Sequence, residues 1–219
     1  MTILKSIFIA LACYAGALQA QDSLLTEKAA PLSVKYFDGF YLGSAAGFQN
    51  LFGGSHVNNM DVLAQQSKFV LDLYGGFRKQ FLKNRLVVGL EGQIGFADGD
   101  LSHTDNATQL EISYENNSQH GIGGTAGITV GKKKSHFLLI YVNETTRNFD
   151  VTITQYGETY KQQDQQGMLK YGVGYEATLF KGLHLYARIG GLRVDFGDQV
   201  TNINVEDKLD YMLGALYQF

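Results

Sequence analysis

Seven charged residues, Asp72, Arg78, Glu91, Lys170, Glu176, Arg188 and Asp210, occupy alternate-residue positions inside otherwise apolar stretches. Carboxylates such as Glu91, Glu176 and Asp210 do acid–base work when a substrate reaches them and their surroundings push their pKa values apart. The same residues also serve as plain salt-bridge partners. With both signs present on one parity, we read them as structural pairs, because an unpaired charge away from water is expensive. A Ser/His nucleophile needs both side chains within hydrogen-bond reach, and Ser102-His103 and Ser118 with His120 are the pairs close in sequence. Such neighbours are common by chance. Asp98, Asp100 and Asp105 gather oxygen ligands near His103, yet the full calcium-loop spacing with its glycine and final Glu is missing. The expectation is no catalytic residue, no cofactor and no metal.

The bulk numbers exclude further classes. Of 219 residues one is cysteine, Cys13, and the formal charge is −3. Cysteine catalysis and cysteine-ligated metals are thereby out, and no basic stripe invites nucleic acid. Residues 1–20 read as a secretory signal: Lys5 supplies the positive start, an apolar run reaches Ala15, and small residues end at Ala20. Cleavage after Ala20 is expected, with Ala17 as the alternative and a lipidated Cys13 as a weaker one. Beyond that segment no apolar run is long enough for a membrane helix. An exported membrane protein without such a helix has to be a barrel.

The elements that position the charges follow from period-two alternation. Residues 21–36 hold Pro31, the single proline, and read as a leader outside the folded domain, which spans 37–219. Eight strands are expected near 37–48, 68–81, 86–96, 110–130, 135–153, 168–180, 183–196 and 209–219. In the fourth, Leu110, Ile112 and Tyr114 share a side with Ile122, Ala126 and Ile128, opposite Gln119 and Thr125. Facing in the fifth is ambiguous over Phe137 to Val142 and clears at Phe149, Val151 and Ile153. In the seventh, a bulge at Gly190-Gly191 is expected to carry Leu192 and Val194 onto the apolar face. Connections alternate: short turns at Lys83-Asn84-Arg85, Gly131 to Lys134 and Lys181-Gly182, and long polar stretches near 49–67, 97–109, 154–167 and 197–207. Short turns at one end and long loops at the other describe a closed eight-stranded antiparallel transmembrane barrel. Both termini then lie on the short-turn side.

Alternation alone does not say which face is inside. A soluble eight-stranded barrel of lipocalin type, or a β-sandwich, would reverse it. Three features favour the membrane. Glycines on the charged parity (Gly121, Gly123, Gly172, Gly174) suit a crowded small lumen, the strands are long enough to cross a bilayer at a tilt, and the last strand ends on an aromatic. That strand sets Leu209, Tyr211, Leu213, Ala215, Tyr217 and Phe219 on one face.

These alternating positions resemble the carboxyl-terminal signature of bacterial outer-membrane proteins. Gly39 to Gly47 likewise resembles the first strand of the OmpA/OmpX/opacity-protein type of eight-stranded barrel. The resemblance implies an outer-membrane location, contact with outer-membrane lipid and lipopolysaccharide, and recognition of Tyr211, Leu213, Tyr217 and Phe219 by the outer-membrane assembly machinery. The sequence ends at Phe219, so no counterpart of OmpA's periplasmic cell-wall domain is expected. We expect a monomer with a structural or surface-interaction role, its lumen plugged by the seven charges and its long loops open to host or surface ligands. A small-solute pore is the alternative, and a lipid-modifying enzyme a more distant one. The run Lys132-Lys133-Lys134 reads as a solvated turn that also lies where anionic headgroups would be.

Overall fold

A computed structural model of the chain describes residues 34–57, 60–97, 99–180, 182–195 and 209–219. The signal segment, nearly all of the leader and the whole of the last polar connection lie outside the described residues. Nine strands are present among them: β1 (Gly39–Val57), β2 (Met60–Phe81), β3 (Leu86–Ala97), β4 (Leu101–Asp105), β5 (Leu110–Val130), β6 (His136–Gln155), β7 (Glu158–Phe180), β8 (Leu183–Asp195) and β9 (Asp210–Gln218). Every pairing is antiparallel. The order β3-β2-β1-β9-β8-β7-β6-β5 closes on itself through a β3–β5 ladder from Leu86↔Ile128 to Gly95↔Gln119. The short β4 continues the line of β3 and pairs with the upper part of β5. The result is a closed ring of eight staves, and no sheet edge is left at its waist.

Several stretches expected to be loops are strand. β1 and β2 pair as far as Val57↔Met60, and β6 and β7 as far as Gln155↔Glu158. Tyr156 and Gly157, both at positive φ (52° and 83°), form the two-residue turn between β6 and β7. That mirror-image turn matches the twist of its flanking strands, so the ladder runs to the tip. β7 is 23 residues long, about twice what a tilted bilayer crossing needs. Gln162 to Gln165 are exposed strand positions on it, while Gln166 is buried.

The expected facings hold where the wall is apolar outside. Phe40, Leu42 and Phe48 on β1, Phe69, Leu71, Leu73 and Phe77 on β2, and Tyr171, Val173 and Tyr175 on β7 are exposed. Aromatics border this band. Phe40 packs on Phe77 at 5.0 Å and Phe48 on Phe69 at 5.9 Å, each a directly registered cross-strand pair. From Phe40 to Phe48 is eight residues, or roughly 20 Å of height at about 3.3 Å per residue and a tilt of about 40°.

Two facings are corrected. Leu110, Ile112 and Tyr114 point inward, opposite in sense to Ile122 and Ile128, because the β5–β6 register slips by a bulge between Asn116 and Ser118. No bulge occurs at Gly190-Gly191: the β7–β8 register runs unbroken from Gly167↔Asp195 to Ala177↔Leu185. Leu192 therefore stays on the inward parity, where it packs with Phe52 and Met168. Phe149 and Val151 are inward as well. All of these residues lie at the end away from the termini. There Leu51, Val62, Leu101, Ile112, Tyr114 and Val151, among others, form an apolar cluster. β1 bends over the ring at this end. Its partner β9 begins only at Asp210, and the consecutive Leu51 and Phe52 are both buried. A Cβ on Gly53 would fall 2.6 Å from the Tyr114 ring, so glycine is what permits this crossing.

Candidate functional site

The seven charged residues singled out in the sequence all face the lumen and are buried. The strands bring them together in tiers. Nearest the termini, Arg78 on β2 reaches across to Glu176 on β7 with two hydrogen bonds, both 2.8 Å. His184 Nδ1 lies 2.8 Å from the same carboxylate, and Arg78 Nε donates to Gln218 Oε1 at 2.6 Å. The Arg78 guanidinium also sits over the Phe37 and Tyr41 rings at 5.0 and 4.8 Å. Phe37, placed in the first strand by its alternation, precedes β1. It turns inward with 0% exposure and forms an apolar floor with Val87 and Phe137.

In the next tier, Arg188 on β8 bonds Glu91 on β3 at 2.6 and 2.8 Å. Tyr41 and Asn143 each donate to Glu91 at 2.9 Å. Tyr74, Tyr141 and Tyr186 surround Arg188, with ring centroids 5.0–5.2 Å away. Such bidentate, hydrogen-bonded geometry is what offsets the desolvation of two buried charges.

Higher still, Asp72 accepts from Gln119 at 2.6 Å, Tyr74 at 3.0 Å and Gln49 at 3.2 Å, with Lys170 Nζ 3.9 Å away. Lys170 donates to Gln49 Oε1 at 2.9 Å. Asp210 accepts from the Asn50 backbone and side chain at 2.9 and 3.2 Å. A Cβ on Gly95 would lie 1.8 Å from Asp72 Oδ1, so the carboxylate sits directly against bare backbone.

Sequence reasoning missed an eighth member. Arg147 on β6 is fully buried and donates to Gln119 Oε1 at 2.6 Å, linking it through that amide to Asp72. It completes a neutral set, with Arg78, Arg147, Lys170 and Arg188 against Asp72, Glu91, Glu176 and Asp210. The signal was charge balance: the seven residues alone leave one acid in excess.

The other candidates do not assemble. Ser102 and His103 are consecutive on β4, so their side chains take opposite faces. Ser118 receives a hydrogen bond from Asn148, and His120 is exposed with Ile94 and Thr146 opposite it. Asp105 binds the Ala107 amide at 2.9 Å and the Thr108 hydroxyl at 2.7 Å, closing the β4–β5 turn. The Thr108 hydroxyl, and next the Ala107 amide, hold its pKa below the usual carboxylate range. Asp98 lies outside the described residues. No group of three metal-ligating side chains exists among the described ones.

In β9 the outward residues are Tyr211, Leu213 and Tyr217, and Phe219 follows the strand. The Phe219 amide donates to the Phe40 carbonyl, and its ring packs on Tyr217 at 5.2 Å.

No protein-family model and no curated protein sequence matches the chain. Among solved structures it is similar to Ail, the attachment invasion locus protein of Yersinia pestis, at 14% identity and a TM-score of 0.47, covering 83% of this chain and 99% of that one. It is also similar to Neisserial surface protein A, at 13% identity and a TM-score of 0.42, covering 83% and 98%. The assignment rests on the ladders themselves. A closed ring of eight antiparallel staves, with an apolar girdle outside and paired charges inside, is the fold of the eight-stranded outer-membrane β-barrels that the terminal strand resembles.

Proposed function

We propose that the chain is an exported, monomeric outer-membrane barrel that works through its wall and its far end, not through its lumen. The observation that carries the reading is the neutral set of eight buried charges stacked between an apolar floor and an apolar roof. An eight-stave ring is just wide enough for side chains to fill. Bidentate pairs such as Arg188–Glu91 have no reason to open for a solute, since parting them would strand two charges. The interior is a plug. The protruding strands carry exposed Tyr156, Tyr160, Gln162, Gln163 and Gln165, a polar surface suited to contacts with lipopolysaccharide or with molecules outside the cell. β9 is the segment that the assembly machinery would engage through Tyr211, Leu213, Tyr217 and Phe219. No chemistry is assigned: Ser102 and His103 take opposite faces, the Ser118 hydroxyl is taken by Asn148, and the lumen carboxylates are held in hydrogen bonds away from solvent.

Heat-modifiable migration of the protein from an outer-membrane fraction tests the location, and planar-bilayer recording tests the plug. A folded band that shifts on boiling and little or no conductance are expected. Large stable openings would overturn the plug in favour of a pore, and an altered lipid A mass spectrum on expression would restore the enzyme reading.

A further inference from the structure

The two ends of the ring differ in charge. On the rim nearest the termini, the one side-chain carboxylate outside the lumen among the described residues is Asp38. It is already taken by Lys35 at 2.8 Å and Lys79 at 3.3 Å. Five further cations stand on that rim in two turns: Lys83 and Arg85 between β2 and β3, and Lys132, Lys133 and Lys134 between β5 and β6. None of the five has a carboxylate partner among the described residues. Among the described residues at the far end acids predominate, Glu111, Glu115 and Glu158 among them.

The structure docks these two turns on each other. Leu82, Lys83 and Asn84 are consecutively left-handed, with φ of 50°, 56° and 64°, a conformation that side chains other than glycine's disfavour. Such a turn persists only where its surroundings over-determine it. Here Lys134 Nζ donates to the Lys83 carbonyl, Thr129 Oγ1 to the Asn84 carbonyl, and the Thr129 amide to the Arg85 carbonyl at 2.8 Å. Two cationic turns are thereby held side by side with Lys83, Arg85, Lys132 and Lys133 exposed. Leu82 is exposed on the same turn, and the outward Ile128 and Leu138 open the apolar band close by. Unneutralised positive charge thus borders an apolar wall, at the height where headgroup phosphates meet a membrane protein.

We infer that the two turns together form a binding surface for the phosphates of anionic phospholipids in the leaflet on the termini side. The inference rests on the membrane-barrel reading above. Lysine and arginine supply charge-assisted donors to phosphate oxygens, and Leu82 enters the interface beside the acyl chains.

The test inserts the mature chain into phosphatidylcholine vesicles holding a trace of spin-labelled phosphatidylglycerol or spin-labelled phosphatidylcholine. Electron paramagnetic resonance then gives the immobilised fraction of each. Phosphatidylglycerol is expected to associate roughly fivefold more strongly. The preference should shrink toward unity in the variant Lys83→Gln/Arg85→Gln/Lys132→Gln/Lys133→Gln, and survive in the far-end control Lys68→Gln/Lys161→Gln. Lys134 is retained because it clamps the turns. Should the fourfold variant not insert, 0.5 M salt on the unaltered protein replaces it, and a preference that salt leaves intact overturns the inference. Equal association of the two lipids, or equal loss in the control, overturns it as well. Flotation with the vesicles is scored first: a chain that does not float defeats the membrane reading itself, whereas one that floats without lipid preference defeats this inference alone.

Discussion

Along β6 the wall changes sides. Its outward residues run Leu138, Ile140 and Val142, then Glu144, Thr146, Asn148, Asp150 and Thr152. Its inward residues run Phe137, Leu139 and Tyr141, then Asn143, Thr145 and Arg147, then Phe149 and Val151. Nearer the termini the wall is apolar outside, and inside it the charged tiers stand on an apolar floor; beyond Arg147 it is polar outside and apolar inside, like a water-soluble barrel. The same ladder serves both, because a sheet needs only that each face find a matching medium. The crossover marks where, on the membrane reading, lipid gives way to water. It also shows how both halves avoid a void: one fills its interior with charges, amides and aromatic rings, the other with packed hydrocarbon.

The comparison breaks most readily at Arg188. Replacing it with Met leaves Glu91 buried without its cation, which should cost about 3–5 kcal/mol in urea unfolding from lipid vesicles. The double variant Arg188→Met/Glu91→Gln should recover most of that loss. A near-neutral Arg188→Met would mean a wet interior in the apolar-walled half, and the two halves would then not be opposites. In the far half the weight shifts to hydrocarbon. Ile112→Ala, at a fully buried position, should cost about 2–5 kcal/mol, whereas its neighbour Ser113→Ala should stay within about 0.5 kcal/mol. Equal costs at 112 and 113 would remove the inversion.

This inversion explains what was legible beforehand. Period two is plain in every expected strand but the fifth, and parity places the seven charges in the lumen because apolar-out holds through the band. Beyond the band the rule reverses, so alternation alone groups Leu110, Ile112 and Tyr114 with Ile122 and sends Leu192 outward. The bulge between Asn116 and Ser118 leaves no glycine or proline mark, whereas Gly190-Gly191 looks like a bulge and is not one. Gly190 is instead close-packed: a Cβ there would lie 2.3 Å from the Tyr141 hydroxyl. Arg147 was overlooked for a related reason, since it lies on the strand whose facing the unbroken apolar run Phe137 to Val142 obscured. Tyr156-Gly157 lacks the Asn-Gly form that announces a two-residue hairpin, so the β6–β7 tip read as a loop.

A charge on the outer wall should separate the halves next. Val173→Arg, within the apolar band of β7, is expected to cost about 2–4 kcal/mol in vesicles, and Thr152→Arg on the outward face of β6 close to nothing. Similar penalties at both sites would extend the lipid-facing band over the whole wall.

The smallest effect concerns how charges titrate. Asp105 stands in the solvated half, where its carboxyl answers chiefly to local hydrogen bonds: first the Thr108 hydroxyl, then the Ala107 amide. Its pKa is lowered in the folded protein, so the stabilisation it gives the β4–β5 turn is present above the unfolded value and is lost as pH falls through the folded one. Carboxyl chemical shifts followed by NMR should give a midpoint below the ordinary Asp range, and Thr108→Val should move it back up. An unmoved midpoint would mean that Thr108 does not hold the carboxylate. The turn would then owe its shape to the left-handed Gln109, at φ 50°, and to the β4–β5 ladder on either side of it.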